Sequence, residues 1–136
     1  MSEYQQVESL DKLIGTSDGS VKGILTEAVK ANPFSVVLLD EIEKAHPQIL
    51  LVFLQVLDDG RLTDSSGMTV SFAHTIIIAT SNVGTAQIQE IAQRGGSFLE
   101  MEEAALKKVR EKFAPEFLNR FSDIIVFNPL TTEDIK

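Results

Sequence analysis

The stretch Val36-Val37-Leu38-Leu39-Asp40-Glu41 decides how the rest of the chain is read. Four consecutive apolar residues, the first two β-branched, have the pattern of a strand buried on both faces, as in a parallel α/β sheet. Two carboxylates end it abruptly. Upstream, residues 26–30 predict a short helix that stops at Asn32 and Pro33, because the residue before a proline avoids the α region. Downstream, Pro47 suits a first helical turn and Gly60 the position just past a helix end, so a helix is expected over 47–58. It is apolar around nearly its whole circumference, as expected for a helix packed between a sheet and its neighbours.

Further out, segments 61–64 and 68–72 flank Ser65-Ser66-Gly67, which predicts a hairpin with glycine supplying the turn. Residues 75–79 predict a second buried strand, ending in Thr80, Ser81 and Asn82. A helix over 85–93 and a Gly95-Gly96 break lead into an amphipathic helix in which Leu106, Val109, Phe113 and Phe117 recur at helical spacing. Pro115 must kink or restart that helix. Residues 124–127 predict a third buried strand, stopped by Asn128-Pro129 before a helix start at Thr132-Glu133-Asp134. The first 24 residues are polar, with Gly15, Gly19 and Gly23 among Ser17, Asp18 and Ser20, and read as a flexible loop. Strands alternating with helices indicate an α/β class with a parallel sheet flanked by helices.

At 136 residues the chain has room for one domain and one core. Its formal charge of −8 argues against a nucleic-acid partner, whose phosphates are held by clustered Lys and Arg. A 43% hydrophobic content is too high for an intrinsically disordered segment. Without cysteine there is no disulfide, thiolate metal site or Cys nucleophile, which fits a reducing, cytoplasmic setting. No apolar run approaches the ~20 residues a bilayer demands, and Met1-Ser2-Glu3-Tyr4 lacks the basic and apolar regions of a signal peptide, so no membrane partner is expected.

Open α/β sheets bind ligands outside the carboxyl ends of their strands, which is where Asp40 and Glu41 would stand. Two acids there can divide labour, one holding Mg²⁺ through its water shell and the other polarising an attacking water, as in nucleotide hydrolysis. Equally, the pair can begin a solvated turn. Asn82, at the end of the second strand, can hold a water or a phosphate oxygen, or cap a loop or helix. Arg120 can neutralise charge on a transferred phosphoryl group, or pair with Glu116 at i,i+4 spacing on a helix face.

Together, LTEAVKANPFSVVLLDEIEKAHPQIL at 25–50, LQVLDDGRLTD at 54–64, TIIIATSNVG at 75–84 and FAPEFLNRFSDIIVFNPL at 113–130 resemble the second ATPase module of the Clp-type AAA+ protein unfoldases. The resemblance implies a partial P-loop NTPase large subdomain over 1–136, with 131–136 beginning the small subdomain. It implies that Asp40 is the Walker B magnesium residue, Glu41 the catalytic base, Asn82 the sensor-1 residue and Arg120 an arginine finger serving a neighbouring subunit. It further implies ATP and Mg²⁺ in the full-length parent, a hexameric ring, protein substrates and, on the proteolytic branch, a Clp-type peptidase.

Departures from the pattern carry their own expectations. The family's phosphate-binding Gly-x4-Gly-Lys-Ser/Thr is absent, so the isolated chain is expected to be inactive. The resemblance places that motif upstream of a strand whose end looks like Met1 to Tyr4, and it places the rest of the helical subdomain after Lys136. In the family, the strand preceding the P-loop lies between the strand ending at Asn82 and the one at 124–127. Without it, two sheet edges must close up, pair with another chain or stay unformed, since unpaired buried backbone groups cost about 1–3 kcal/mol each. In the resemblance a Gly-Tyr-Val-Gly pore loop stands where this chain has Gly19-Ser20-Val21-Lys22, in a segment shorter than the family's, and Ser20 lacks the area and stiffness of an aromatic grip. The non-enzymatic alternative is a degenerate module that contributes assembly surface or acts as an adaptor.

Overall fold

The computed structural model describes Met1 and residues 9–127. Two predicted features, the Asn128-Pro129 strand stop and the small-subdomain start at 131–136, lie outside the described residues, as do Ser2, Glu3 and Tyr4. The chain forms two compact units, Met1–Ser81 and Asn82–Lys136.

The first unit opens with helix α1 (Ser9–Ile14) and helix α2 (Ile24–Ala31). Strand β1 (Val36–Leu39) leads through a 3-10 turn (Ile42–Lys44) to helix α3 (Pro47–Asp59). A hairpin of β2 (Arg61–Thr63) and β3 (Thr69–Ser71) precedes β4 (Ile76–Ala79). The α3 boundaries follow the sequence signals. Pro47 takes the first turn, the His46 side chain accepts a hydrogen bond from the Gln48 N–H, and Gly60 closes the helix at φ 66°. Ile49, Phe53 and Val56 are its buried stripe, whereas Leu51 stays 62% exposed, so the helix buries one face and not its whole circumference. α3 lies against β2, α2 against β3 and α1, and Leu25, Val29, Leu62 and Val70 complete this core.

β1 and β4 pair in parallel, with Val36 opposite Ile76 and Leu39 opposite Ala79. This confirms the α/β class and the first two predicted strands. Burial of both faces is not observed. Side chains alternate across a strand, and Val36, Leu38, Ile76 and Ile78 lie together on a face that is exposed, whereas Leu39 is buried. Phe34 and His74 extend that face, their rings stacked at 4.8 Å. Residues 124–127, predicted as a third strand, form none, and Ile125 and Phe127 are largely exposed. An apolar run becomes a strand only when another backbone takes up its N–H and C=O groups.

The second unit holds α4 (Thr85–Gln93), α5 (Phe98–Lys112) and α6 (Pro115–Leu118). α4 and α5 pack together across the predicted glycine break, with Ser97 capping α5 by accepting from the Glu100 N–H. Gly84 makes the packing possible: at φ 88° its ideal Cβ would lie 2.9 Å from the Ala105 Cα. Phe113 and Ala114 are extended ahead of Pro115, which restarts the chain as α6, so Phe113 continues no helix. Instead Phe113, Phe117 and Phe121 form a ladder, with ring centroids 5.8 and 5.2 Å apart.

The N-terminal segment departs from the expected flexible loop. Leu10, Leu13 and Ile14 have helical spacing and form α1 with Leu13 buried. The loop after it is closed at its neck, where the Thr16 N–H donates to the Val21 carbonyl at 2.9 Å. Gly15 and Gly23 are both buried there, and an ideal Cβ on Gly23 would meet Ile14 backbone at 2.5 Å. Within the loop, the Asp18 carboxylate accepts from the Thr16 hydroxyl at 2.7 Å, the Ser20 hydroxyl at 2.7 Å and the Ser20 N–H at 3.0 Å. These donors, Thr16 first, pull the exposed Asp18 carboxyl down from 3.8 to about 2.

Two expectations follow from this packing. Gly84→Ala combines a left-handed backbone with a clash and should destabilise by about 2 kcal/mol or more, whereas Gly60→Ala, also left-handed but with open space around its Cβ, should cost about 1 kcal/mol. Urea unfolding followed by circular dichroism ranks the two. Asp18 should titrate near 2 by carboxyl-carbon NMR. Its folded value is depressed, so its support of the loop is fully present above pH about 4 and is lost as pH falls through its folded value. Asp18→Asn should speed hydrogen exchange at the Ser20 amide at neutral pH.

Candidate functional site

Asp40 and Glu41 leave the carboxyl end of β1, at the edge where a parallel sheet presents ligand-binding groups. Asp40 is exposed and Glu41 half-buried. The chain turns sharply here: Glu41 has φ 55° and ψ 53°, and it is the only non-glycine residue with positive φ among the described residues. A left-handed non-glycine residue is strained, and such strain concentrates at functional sites. The turn lets Ile42 drop into the core and start the 3-10 turn, so Glu41 is held beside Asp40 and is not carried off along a helix.

β4 locks this turn from the side. The Thr80 N–H donates to the Leu39 carbonyl at 2.9 Å, and the Ile42 N–H donates to the Thr80 carbonyl at 3.0 Å, extending the ladder past both strands. The Thr80 hydroxyl accepts from the Glu41 N–H at 3.1 Å and donates to the Asp40 carboxylate. The Glu41 carboxylate also meets Lys44 Nζ at 3.2 Å. Thr80 and Lys44 are thus part of the site, although sequence reading singled out neither. Lys44 stands three residues after Glu41, a spacing that one helical turn brings together and that could have been read.

The other candidates lie elsewhere in the chain. Asn82 is the first residue of the second unit, exposed, and its carbonyl accepts from the Thr85 N–H at 3.1 Å ahead of α4. Arg120 follows α6, exposed, with its N–H donating to the Phe117 carbonyl at 3.3 Å. The flanking Phe117 and Phe121 rings pack edge to face and fix the backbone that carries it. Gly19, Ser20, Val21 and Lys22 occupy the closed loop between α1 and α2, all exposed, with the Ser20 hydroxyl engaged by Asp18. The structure therefore brings Asp40 and Glu41 together with Thr80 in one unit, and carries Asn82 and Arg120 on the other.

Asp40 offers hard carboxylate oxygens at an exposed strand end, the donor type that Mg²⁺ takes. Among the described residues no three His, Asp or Glu side chains converge on a common point. A metal held by Asp40 would therefore complete its shell from water and phosphate oxygens, as Mg²⁺ does in phosphoryl-transfer sites. No helix among the described residues is long and apolar enough to cross a membrane.

Comparison with known proteins places the chain in a family. The AAA domain (Cdc48 subfamily) matches residues 1–124. The chaperone protein ClpB of Bacillus anthracis is 50% identical over 141 aligned residues, which cover 100% of this chain and 16% of that protein. ClpB of Meiothermus ruber is 51% identical over 139 residues, covering 99% and 16%. In a solved structure of the S. cerevisiae Hsp104:casein complex, in an extended conformation, 24% of the Hsp104 chain superposes on 98% of this one with a TM-score of 0.86 and 38% identity. The chain thus spans about one sixth of the length of these ClpB relatives. With the family match running from Met1 through the whole of both units' described elements, the chain belongs to the AAA domains of the Cdc48 subfamily and is of the Clp-type AAA+ kind.

Proposed function

We propose that this chain supplies the hydrolytic edge of an ATP-driven, ring-forming protein unfoldase of the ClpB and Hsp104 type. The observation that carries the reading is the strained Glu41 beside Asp40 at the carboxyl end of a parallel strand pair. In this role Asp40 would hold Mg²⁺ through its water shell, and the ion would supply charge neutralisation to a bound nucleotide. Glu41 orients a water and takes its proton as the water oxygen bonds to the γ-phosphorus and the bond to the β,γ-bridging oxygen breaks. Asn82, an uncharged amide, acts as the sensor-1 group toward that water or a γ-phosphate oxygen. Arg120 is the arginine finger that stabilises charge on the transferred group in a neighbouring subunit of a hexamer.

The phosphate cradle is not among these 136 residues, since no Gly-x4-Gly-Lys-Ser/Thr occurs in them. The work of the chain therefore belongs to a module in which a P-loop faces Asp40. Protein substrates would pass a pore loop whose Ser20, tied to Asp18, offers little apolar area, so grip on a threaded chain is weak at this position. A Clp-type peptidase is a partner only where the ring serves proteolysis, and the setting is cytoplasmic.

The test is exchange of these residues into the matching segment of B. anthracis ClpB, with the first module's own catalytic glutamate silenced. Steady-state ATPase should persist. Glu41→Gln should lower kcat by about 100-fold or more while Mg-ATP binding is retained, and Arg120→Ala should lower it by about 1000-fold. Mg-ATP should bind the isolated chain only weakly in a fluorescence titration. Undiminished turnover by the Glu41→Gln module, or tight Mg-ATP binding by the chain alone, would overturn the reading in favour of a different site or a non-hydrolytic module.

A further inference from the structure

We infer that Thr80 is a positioning residue for the Asp40–Glu41 edge, acting through its hydroxyl; the inference rests on the hydrolytic reading of that edge. One oxygen atom serves both acids at once. Thr80 Oγ1 accepts the Glu41 N–H at 3.1 Å and gives its own proton to Asp40 Oδ1. The main chain of Thr80 is held as firmly, its N–H on the Leu39 carbonyl and its carbonyl on the Ile42 N–H. Thr80 thus spans the turn from the last residue of β1 to the first of the 3-10 turn, and its side chain lies between the two backbone bonds.

The chemistry of the side chain matters here. A hydroxyl is both donor and acceptor, so it can satisfy a carboxylate and an amide N–H together. Glu41 needs that acceptor because it stands ahead of the first residue of the 3-10 turn, where an N–H has no helical carbonyl to donate to. Asp40 needs the donor because an exposed carboxylate on a short side chain otherwise samples several rotamers. Serine preserves both functions. Valine keeps the shape and the branched β-carbon of threonine but offers neither a donor nor an acceptor.

Hydrolysis depends on the placement of a metal-holding carboxylate and a base to within about half an ångström, so loss of the hydroxyl should act on the chemical step and not on nucleotide capture. The full 136-residue chain is compared by amide hydrogen exchange as wild type, Thr80→Val and Thr80→Ser. In Thr80→Val the Glu41 amide should exchange about ten-fold faster while the Ile76 and Thr80 amides, bonded within the β1–β4 ladder, keep their protection; Thr80→Ser should restore wild-type exchange. In the exchanged ClpB module, Thr80→Val should lower kcat about ten-fold with KM unchanged, and Thr80→Ser should recover most of it. Unchanged Glu41 exchange, unchanged kcat, or equal losses in the valine and serine variants would each overturn the inference. Should Thr80→Val collapse the ladder, the serine variant alone decides: wild-type exchange and kcat support it, and a loss in either overturns it. If the exchange results hold but Glu41→Gln leaves ATPase intact, the hydrolytic reading fails and the clamp on the turn stands as a structural fact.

Discussion

The first unit depends on the parallel pairing of β1 and β4. Residues 36–39 and 76–79 are forty apart in the chain, and their pairing joins the segment ending in Asp40-Glu41 to the segment ending in Thr80. The connection between them is α3 and the β2–β3 hairpin, which bury Ile49, Phe53, Leu62 and Val70 and so fix the length of the crossover. Parallel strands always need such a crossover, and their side-by-side carboxyl ends are the usual reason a ligand site forms there. Without this register the Thr80 hydroxyl would not reach Asp40, and the two acids would leave the strand into an unsupported loop.

Much of this was legible in the sequence because the signals are local. Pro47 and Gly60 bracket α3 through the φ that one fixes and the left-handed backbone that the other permits. Gly67 marks the hairpin turn at φ 90°, and Gly95 the break between α4 and α5 at φ 76°. The less legible features depend on distant partners. The spacing of Thr16, Asp18 and Ser20 encodes an ordered side-chain turn, but three glycines nearby read as flexibility until the buried neck at Gly15 and Gly23 is seen. Residues 124–127 have strand composition and no strand, because β structure is completed by a neighbour that composition cannot reveal.

The same distinction runs through the site. Asp40 and Glu41 could be placed at a strand end from the apolar run before them, and the structure puts them there. The left-handed backbone at Glu41 had no sequence signal, since glycine or asparagine is the usual residue in that conformation. Thr80 read as one more polar residue ending a strand, and its double hydrogen bond exists only because β4 lies alongside β1. Asn82 stands past the end of β4 and ahead of α4, and Arg120 just after α6. The aromatic ladder that anchors Arg120 was visible only as helical spacing, which Pro115 interrupts.

Magnitudes indicate why the turn at Glu41 persists. A left-handed conformation at a residue with a Cβ costs about 1–2 kcal/mol. A hydrogen bond in a partly exposed setting returns about 1 kcal/mol, and the Thr80 side chain makes two, one of them to a carboxylate. The Lys44–Glu41 ion pair, with both side chains about a third exposed or more, adds at most a few tenths of that scale. Strain and restraint are therefore nearly balanced, and the balance rests on the hydroxyl more than on the ion pair. A turn held this way keeps Glu41 off the path of a continuing helix without burying it. On the proposed reading, this leaves the Glu41 carboxylate partly exposed and held only by a weak ion pair, so that a water can approach it.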